Sequence, residues 1–270
     1  LWRGGPMAVA GIDVGAETTK AVILDDARVL AHSLGHQGRH SAASVASSML
    51  DEAAQKAGVS LEQLEQVGVT GIGREQVNGG WVKVPEPSAL ARGIPHFVPS
   101  AKTVLDIGAQ KALAIGCVDS RVRKQAKNEK CASGSGLYLE VVCDLLSIDI
   151  EEMGALALAS EAPVEVAHVC TVFAESEIIS LIHVKREKKE NIVAGVLLGM
   201  AKRLYPLVLK AGMEQDVVIV GGVAKNRGIL KFLEETVGFS VLTTEVPEIV
   251  GAVGAAVTAR ASARASQEGS

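Results

Sequence analysis

The chain has 270 residues, of which 48% are apolar and 21% charged, so it can bury the core of one large or two small domains and is neither disordered nor collagen-like. Its 27 Lys and Arg against 31 Asp and Glu give a net charge of −4, and only 3% of its residues are aromatic, which argues against nucleic acid or an anionic membrane as a partner. No apolar run reaches the roughly 18 residues of a membrane span, and residues 1–6 lack the apolar core of a signal peptide. Four cysteines are too few for a disulfide scaffold. A cytoplasmic protein is therefore expected.

The first predicted element is a β-hairpin with an acidic residue and a glycine in its turn. An apolar run leads to Asp13, Gly15 follows, and a second apolar run begins after Lys20. The same pattern returns with Asp106 and Gly108. The two copies are Val9–Leu24 and Thr103–Ile115. Because the strand-turn-strand pattern occurs twice, the sequence predicts two similar lobes.

The rest of the pattern alternates helices with strands, which is typical of an α/β fold. Helices are predicted at 41–58, 88–93, 136–146, 171–184, 191–211 and 249–257, and strands at 67–70 and 217–220. The basic stretch 121–130 is predicted to be a solvated loop in preference to a docking surface. The polar residues 262–270 are predicted to fray.

Three glycine-rich turns predict a nucleotide site. A carboxylate at a strand end beside a glycine turn offers a ligand for hydrated Mg²⁺ and backbone N–H groups for phosphate oxygens. Asp13 and Asp106 each precede such a turn, so two facing hairpins would hold the β- and γ-phosphates. Gly221 and Gly222 follow an apolar strand and leave the backbone open to a ribose or α-phosphate. The chain has neither a P-loop nor a Gly-x-Gly-x-x-Gly fingerprint, which excludes those two nucleotide-binding folds.

Two of the cysteines stand at the starts of predicted helices. The partial positive charge of a helix N-terminus would lower the thiol pKa of Cys131 and Cys170, or stabilise an anionic cluster that they bind. Alternatively, both could be buried core thiols. A cubane cluster takes four thiolates, so a twofold dimer would be needed to supply them. Cys117, in an apolar strand, and Cys143, inside a helix, are predicted to be core thiols.

The chain resembles the actin-like ATPase superfamily. Within it, two cysteine motifs resemble those of the 2-hydroxyacyl-CoA dehydratase activators and the ATPase subunits of benzoyl-CoA reductase. These motifs are Asn128–Glu140 and Val169–Ser180. Three further segments fit the same family, namely Thr70–Arg74, Val220–Asn226 and Ile249–Ala256. The resemblance runs from about Met7 to Ala259.

This resemblance implies a two-lobed actin-like, ribonuclease H-like α/β fold with duplicated phosphate hairpins. The first lobe would comprise residues 7–100, with a helix at 248–262 returning to it. The second lobe, residues 101–247, would carry the cluster cysteines.

The resemblance also implies residue roles. Asp13 and Asp106 would hold Mg²⁺ through water, and Gln110 would position the water that attacks ATP. The residues implied to bind ATP or ADP are Gly15, Thr18, Thr19, Lys20, Gly108, Gly221, Gly222, Lys225 and Asn226. Cys131 and Cys170 of two chains would share one [4Fe–4S] cluster.

The implied function is ATP-driven electron transfer. The chain would pair with a second copy or a homologous subunit, take an electron from ferredoxin or flavodoxin, and deliver it to an Fe–S acyl-CoA dehydratase or reductase. No nucleic acid or membrane partner is expected.

Several residues depart from the family's usual phosphate loops. Ala16 and Glu17 stand in place of Ser and Thr, while Ala109, Lys111 and Leu113 replace Gly, Asp and Lys of the second loop. Two alternatives therefore stay open: a small-molecule kinase on the same fold, for which no catalytic base is evident, and a nucleotide-responsive partner subunit without catalysis.

Overall fold

The protein folds into two α/β units, each built on its own mixed β-sheet. The computed structural model describes residues 8–26, 28–128, 135–166 and 171–268. Unit 1 comprises Leu1–Ala101, Cys117–Val122 and Glu248–Ser270. Unit 2 comprises Lys102–Gly116 and Arg123–Pro247.

The regular elements of the described residues are as follows. The strands are β1 (Ala8–Val14), β2 (Thr18–Leu24), β3 (Val29–His36), β4 (Leu64–Thr70), β5 (Val82–Lys83), β6 (Thr103–Ile107), β7 (Ala112–Val118), β8 (Arg121–Lys127) and β9 (Val217–Val220). The helices are α1 (Ala42–Ala57), α2 (Glu86–Gly93), α3 (Gly136–Leu146), α4 (Ile150–Leu158), α5 (Thr171–His183), α6 (Lys189–Lys210), α7 (Arg227–Val237) and α8 (Val250–Glu268).

The sheet of unit 1 has the strand order β3-β2-β1-β4-β5. β1 runs antiparallel to β2, as the predicted hairpin requires, and parallel to β4. This register places Asp13 opposite Lys20 on one side and opposite Thr70 on the other. The central strand is apolar on both faces because helices cover the sheet on both sides.

The bounds of α1 follow from its capping residues. The Ser41 hydroxyl accepts a hydrogen bond from the Ser44 N–H at 3.2 Å, which satisfies one of the unpaired donors of the first turn. Gly58 ends the helix in the left-handed conformation with φ 71°. The helix predicted at 41–58 is therefore confirmed.

Helix α8 lies against the sheet of unit 1 at very short range. A Cβ at Gly11 or Gly68 would collide with the backbone carbonyls of Ala252 or Ala255, so glycines in β1 and β4 are what let the helix approach. The helix also continues to Glu268, so the prediction that residues 262–270 fray is wrong for the part described.

Polar contacts explain why the end of α8 stays helical. The Arg264 guanidinium donates to the Asp26 carboxylate at 3.0 Å, and the Gln267 amide donates to the Glu65 carboxylate at 3.1 Å. Because these side chains reach loops and strands of the same unit, a segment with little apolar character is fixed by hydrogen bonds instead.

The second sheet, most of which belongs to unit 2, repeats the arrangement of four strands of the first sheet. Its order is β8-β7-β6-β9, with β6 antiparallel to β7 and parallel to β9, just as β1 is to β2 and β4. The predicted duplication is confirmed and extends beyond the hairpin to a third and a fourth strand. The basic residues 121–127 form edge strand β8, so the prediction of a loop is wrong there.

Helix α6 forms the centre of the core of unit 2. Its residues pack with α3, α4, α5 and α7 around β6 and β9. It is also long and apolar enough to span a membrane by length and composition, the one such helix among the described residues, contrary to the expectation that no run reaches that length. Most of it is buried inside the unit, as in the core helix of a globular domain.

We predict that Gly68→Ala destabilises the protein by about 2 kcal/mol or more, because the new methyl group meets a backbone carbonyl of α8 that cannot move alone. Gly35→Ala in β3 is the matched control. Its methyl group meets the flexible end of Met49, so the loss should stay below about 1 kcal/mol. Urea unfolding midpoints measure both values, and equal losses would contradict the close packing of α8.

Candidate functional site

The turn between β1 and β2 is held by one hydrogen bond of its own backbone and by the side chain of Gln37. The Gly15 N–H donates to the Thr18 carbonyl at 3.0 Å, and the Gln37 side-chain amide donates to the Gly15 carbonyl at 2.7 Å. The same amide also donates to the hydroxyl of Thr19, which is fully buried. We call residues 13–18 the first phosphate turn.

An ion pair lies at the base of the first phosphate turn. Lys20 Nζ is 3.7 Å from Asp13 Oδ2, and the two side chains are only 12% and 21% exposed. Lys20 Nζ also donates to the Thr18 carbonyl at 3.4 Å. The lysine therefore compensates the charge of Asp13 and ties the turn to its own strand.

The second phosphate turn, residues 106–111, has the same backbone hydrogen bond. The Gly108 N–H donates to the Lys111 carbonyl at 2.9 Å. Gln110 is exposed at its tip, and Asp106 is half-buried at the end of β6. Leu113 lies opposite Asp106 in the register, where Lys20 lies opposite Asp13, so this cross-strand position carries no charge.

In both units a left-handed glycine lies directly beside the aspartate. Gly71 follows β4 with φ 92°, and Gly221 follows β9 with φ 85°. A Cβ at either position would collide with Oδ1 of Asp13 or Asp106, respectively, so only glycine fits there. The sequence prediction included Gly221 but missed Gly71. Each of the two glycines directly follows a short apolar strand, and another glycine comes one or two residues later. This pattern, which both units share, could have identified Gly71 from the sequence.

Backbone hydrogen bonds to β7 and to the second phosphate turn flank the segment that contains Cys131. The Asn128 N–H donates to the Ala112 carbonyl at 3.0 Å, just before residues 129–134. After them, the N–H groups of Gly136 and Leu137 at the start of α3 donate to the carbonyls of Gly108 and Ala109, both at 2.9 Å. The turn and the start of α3 are thus joined through their backbones.

The residues after Gly221 have mixed roles. Gly222 and Lys225 are exposed in a short 3₁₀ turn. Asn226 is the N-cap of α7, because its side-chain oxygen accepts a hydrogen bond from the Ile229 N–H at 3.1 Å. Its Nδ2 is buried without a hydrogen-bond partner. The side chain therefore has an established role in the helix besides any contact with a nucleotide.

The proposed cluster ligands Cys131 and Cys170 lie outside the described residues. The helices predicted to follow them begin at Gly136 and Thr171. Elsewhere in the described ranges, no group of three or more His, Cys, Asp or Glu side chains could hold a metal ion.

The two other cysteines are core thiols, as predicted. Cys117 and Cys143 are buried, and burial raises the pKa of each thiol to about 11. For Cys143 the carboxylates of Asp144 and Glu140 add to this effect. Both thiols therefore stay protonated at neutral pH and are poor nucleophiles and poor metal ligands.

Comparison with known proteins gives a family for this fold and these turns. Residues 10–259 match the profile of the BadF/BadG/BcrA/BcrD ATPase family. The activator of lactoyl-CoA dehydratase from Anaerotignum propionicum is 37% identical over 260 residues, which cover 94% of this chain and 97% of that protein.

Solved structures support the fold. The activator of the 2-hydroxyisocaproyl-CoA dehydratase from Clostridium difficile, solved with bound ADPNP, superposes with a TM-score of 0.91 at 33% identity and covers 98% of both chains. A ROK family glucokinase from Streptomyces griseus has a TM-score of 0.59 at 13% identity, covering 94% of this chain and 99% of its own, and shares the fold alone. The chain has the two-lobed actin-like fold that the sequence predicted.

We predict that Cys117 and Cys143 resist alkylation in the native protein. A thiol of pKa about 11 has a thiolate fraction at pH 8 about a hundredfold below that of an ordinary thiol of pKa 9. Labelling with iodoacetamide, followed by peptide mass spectrometry, should show slow modification in buffer and fast modification in urea. Equal rates in both conditions would contradict the burial of these thiols.

Proposed function

The chain belongs to the BadF/BadG/BcrA/BcrD ATPase family, and we propose that it hydrolyses ATP to drive an electron at low potential into an Fe–S acyl-CoA dehydratase or reductase. The observation that carries the ATPase part is the repeated arrangement of an aspartate, a hydrogen-bonded turn and a left-handed glycine. The named activators among its relatives support the acceptor, and a 2-hydroxyacyl-CoA dehydratase is the proposed one.

The residues of the two phosphate turns have the chemistry that Mg-ATP needs. The N–H groups of Gly15 and Gly108 close the turns themselves, so other backbone N–H groups of the turns and Lys20 would bind phosphate oxygens. The carboxylates of Asp13 and Asp106 are ligands that Mg²⁺ accepts directly or through water. Bound Mg²⁺ supplies charge stabilisation for the phosphoryl transfer. We assign Gln110, at the exposed tip of its turn, to the orientation of the attacking water.

The two aspartates differ in their cross-strand neighbours. Asp13 is paired with Lys20, which offsets its charge. The position opposite Asp106 is Leu113, which offsets nothing.

We assign Cys131 and Cys170 as ligands of a [4Fe–4S] cluster, which supplies one-electron redox chemistry when bound. Thiolates are the ligands that such clusters take, and each chain offers two of the four. A second copy of the chain, or a homologous subunit, would supply the other two.

Helix α5 supports the second copy, because it begins directly after Cys170 and exposes apolar side chains. Phe173 is 69% exposed and Ile179 is 45% exposed, while Val184 just beyond the helix is 77% exposed. The opposite side of α5 is buried in unit 2. Exposed apolar groups of this size beside a shared cluster are what an interface between two copies would cover.

The anchoring of the Cys131 segment supports coupling between ATP and the cluster. The carbonyls of Gly108, Ala109 and Ala112 hold both ends of residues 129–134. A change in the second phosphate turn on hydrolysis would therefore act on the start of α3, just after this segment, through the two backbone hydrogen bonds to Gly108 and Ala109. Ferredoxin or flavodoxin as donor and a cytoplasmic location complete the proposal.

We predict that Asp106→Asn lowers kcat for ATP hydrolysis by about 100-fold or more while the Kd for ATP changes much less, because a carboxylate that positions the metal matters most in the transition state. The control is Asp144→Asn on the exposed face of α3, which should keep full activity. Steady-state phosphate release and nucleotide titration measure the two quantities. Unchanged hydrolysis in Asp106→Asn would overturn the assigned role. Tight ADP binding without any turnover in the unmodified chain would favour the partner-subunit alternative.

We predict that protein purified without oxygen contains about four iron atoms per two chains, as a shared cubane requires. Cys131→Ser and Cys170→Ser should each abolish the iron and its absorbance. Cys117→Ser and Cys143→Ser are the controls, since these thiols are buried in the core, and they should retain iron. Iron retained in either of the first two variants contradicts the ligand assignment.

A further inference from the structure

Edge strand β8 presents one face of exposed cationic side chains. Successive side chains of a strand alternate between its two faces, so Arg121, Arg123, Gln125 and Lys127 share one face. All four are exposed. Lys124 lies on the other face, near Gly212. We call the first set the cationic face of β8, and we propose that it docks the electron donor, a small acidic electron-carrier protein.

The charge of this face contrasts with the charge of the whole chain. The chain has a net charge of −4, yet three of the four side chains on this face of β8 are basic. Arg123 is 2.9 Å from the Glu214 carboxylate, but both side chains are more than half exposed. Such an ion pair is weak and screened, so Arg123 can exchange its partner for a carboxylate of a docked protein. A local positive field of this kind attracts an acidic partner.

The position of β8 connects this face to the cluster cysteine. Cys131 is the fourth residue after Lys127, and four residues reach at most about 14 Å. The Asn128 N–H, hydrogen-bonded to the Ala112 carbonyl, fixes the chain directly after Lys127. The cationic face therefore ends two residues before the segment that contains Cys131. This step rests on the proposed cluster, whereas the docking itself rests on charge.

The size of the face favours the donor over the acceptor enzyme. Encounters between electron carriers bury little surface and are held chiefly by charge. One strand with three cations matches such a contact. The charged side chains of an edge strand also discourage strand pairing, so the carrier would meet the side chains and not the backbone edge.

Equilibrium binding tests the docking without turnover. Oxidised, fluorescently labelled ferredoxin, as the acidic probe, is titrated with the full chain at about 50 mM and about 300 mM salt. We expect Arg121→Gln with Lys127→Gln to raise the Kd about tenfold at low salt and to flatten its salt dependence. Lys124→Gln, the same kind of change on the other face, should alter the Kd less than about twofold. A Kd that the double variant leaves unchanged, or that Lys124→Gln raises equally, would overturn the proposal.

The rate of cluster reduction separates this proposal from the function it rests on. Dithionite, a small reductant, should reduce the double variant and the unmodified protein at the same rate, while reduced ferredoxin should reduce the variant more slowly. Protein without iron defeats the proposed function but leaves the binding measurement valid. Protein with iron that ferredoxin reduces equally in both forms defeats the docking face alone.

Discussion

Near the end of one strand of each sheet, an aspartate lies against a left-handed glycine that directly follows the neighbouring parallel strand, and the geometry around both phosphate turns depends on this contact. Gly71 and Gly221 leave room for the carboxylates of Asp13 and Asp106 where any side chain would displace them. The parallel pairing of β1 with β4, and of β6 with β9, brings each glycine to its aspartate. The contact between aspartate and glycine therefore occurs once in each sheet, and a substitution in these strands has to leave room for it.

The two copies of the strand-turn-strand arrangement have the same backbone pairing but differ in the charge opposite the aspartate. The first turn has a lysine across from its aspartate, whereas the second has a leucine. The second turn is hydrogen-bonded to the start of α3, which follows the Cys131 segment. The first copy thus pairs its aspartate with a lysine, and the second is joined through its backbone to the helix that follows that segment.

The sequence predicted the hairpins well because apolar runs interrupted by Asp and Gly are a strong local signal, and both turns close with the hydrogen bond that such turns make. It missed β8, since side chains such as Arg123 and Lys124 on an edge strand are solvated on both faces and leave no apolar alternation. It missed the role of Gly71, because the contact with Asp13 joins residues far apart in the chain. Likewise, the hydrogen bonds that extend α8 are made with distant segments, and no local pattern reports them.

Unit 1 is built from segments at both ends of the chain, so it cannot be completed until the C-terminal segment has been synthesised. Its sheet is covered on one face by α8, the last helix of the chain, whose backbone packs directly on Gly11 and Gly68. During synthesis the whole of Lys102–Gly116 and Arg123–Pro247 leaves the ribosome before α8 does. Unit 2 can complete its core first, while the earlier-made strands of unit 1 wait with one apolar face uncovered. The order of the segments along the chain therefore lets unit 2 complete its core before unit 1, against the usual sequence in which the N-terminal domain folds first.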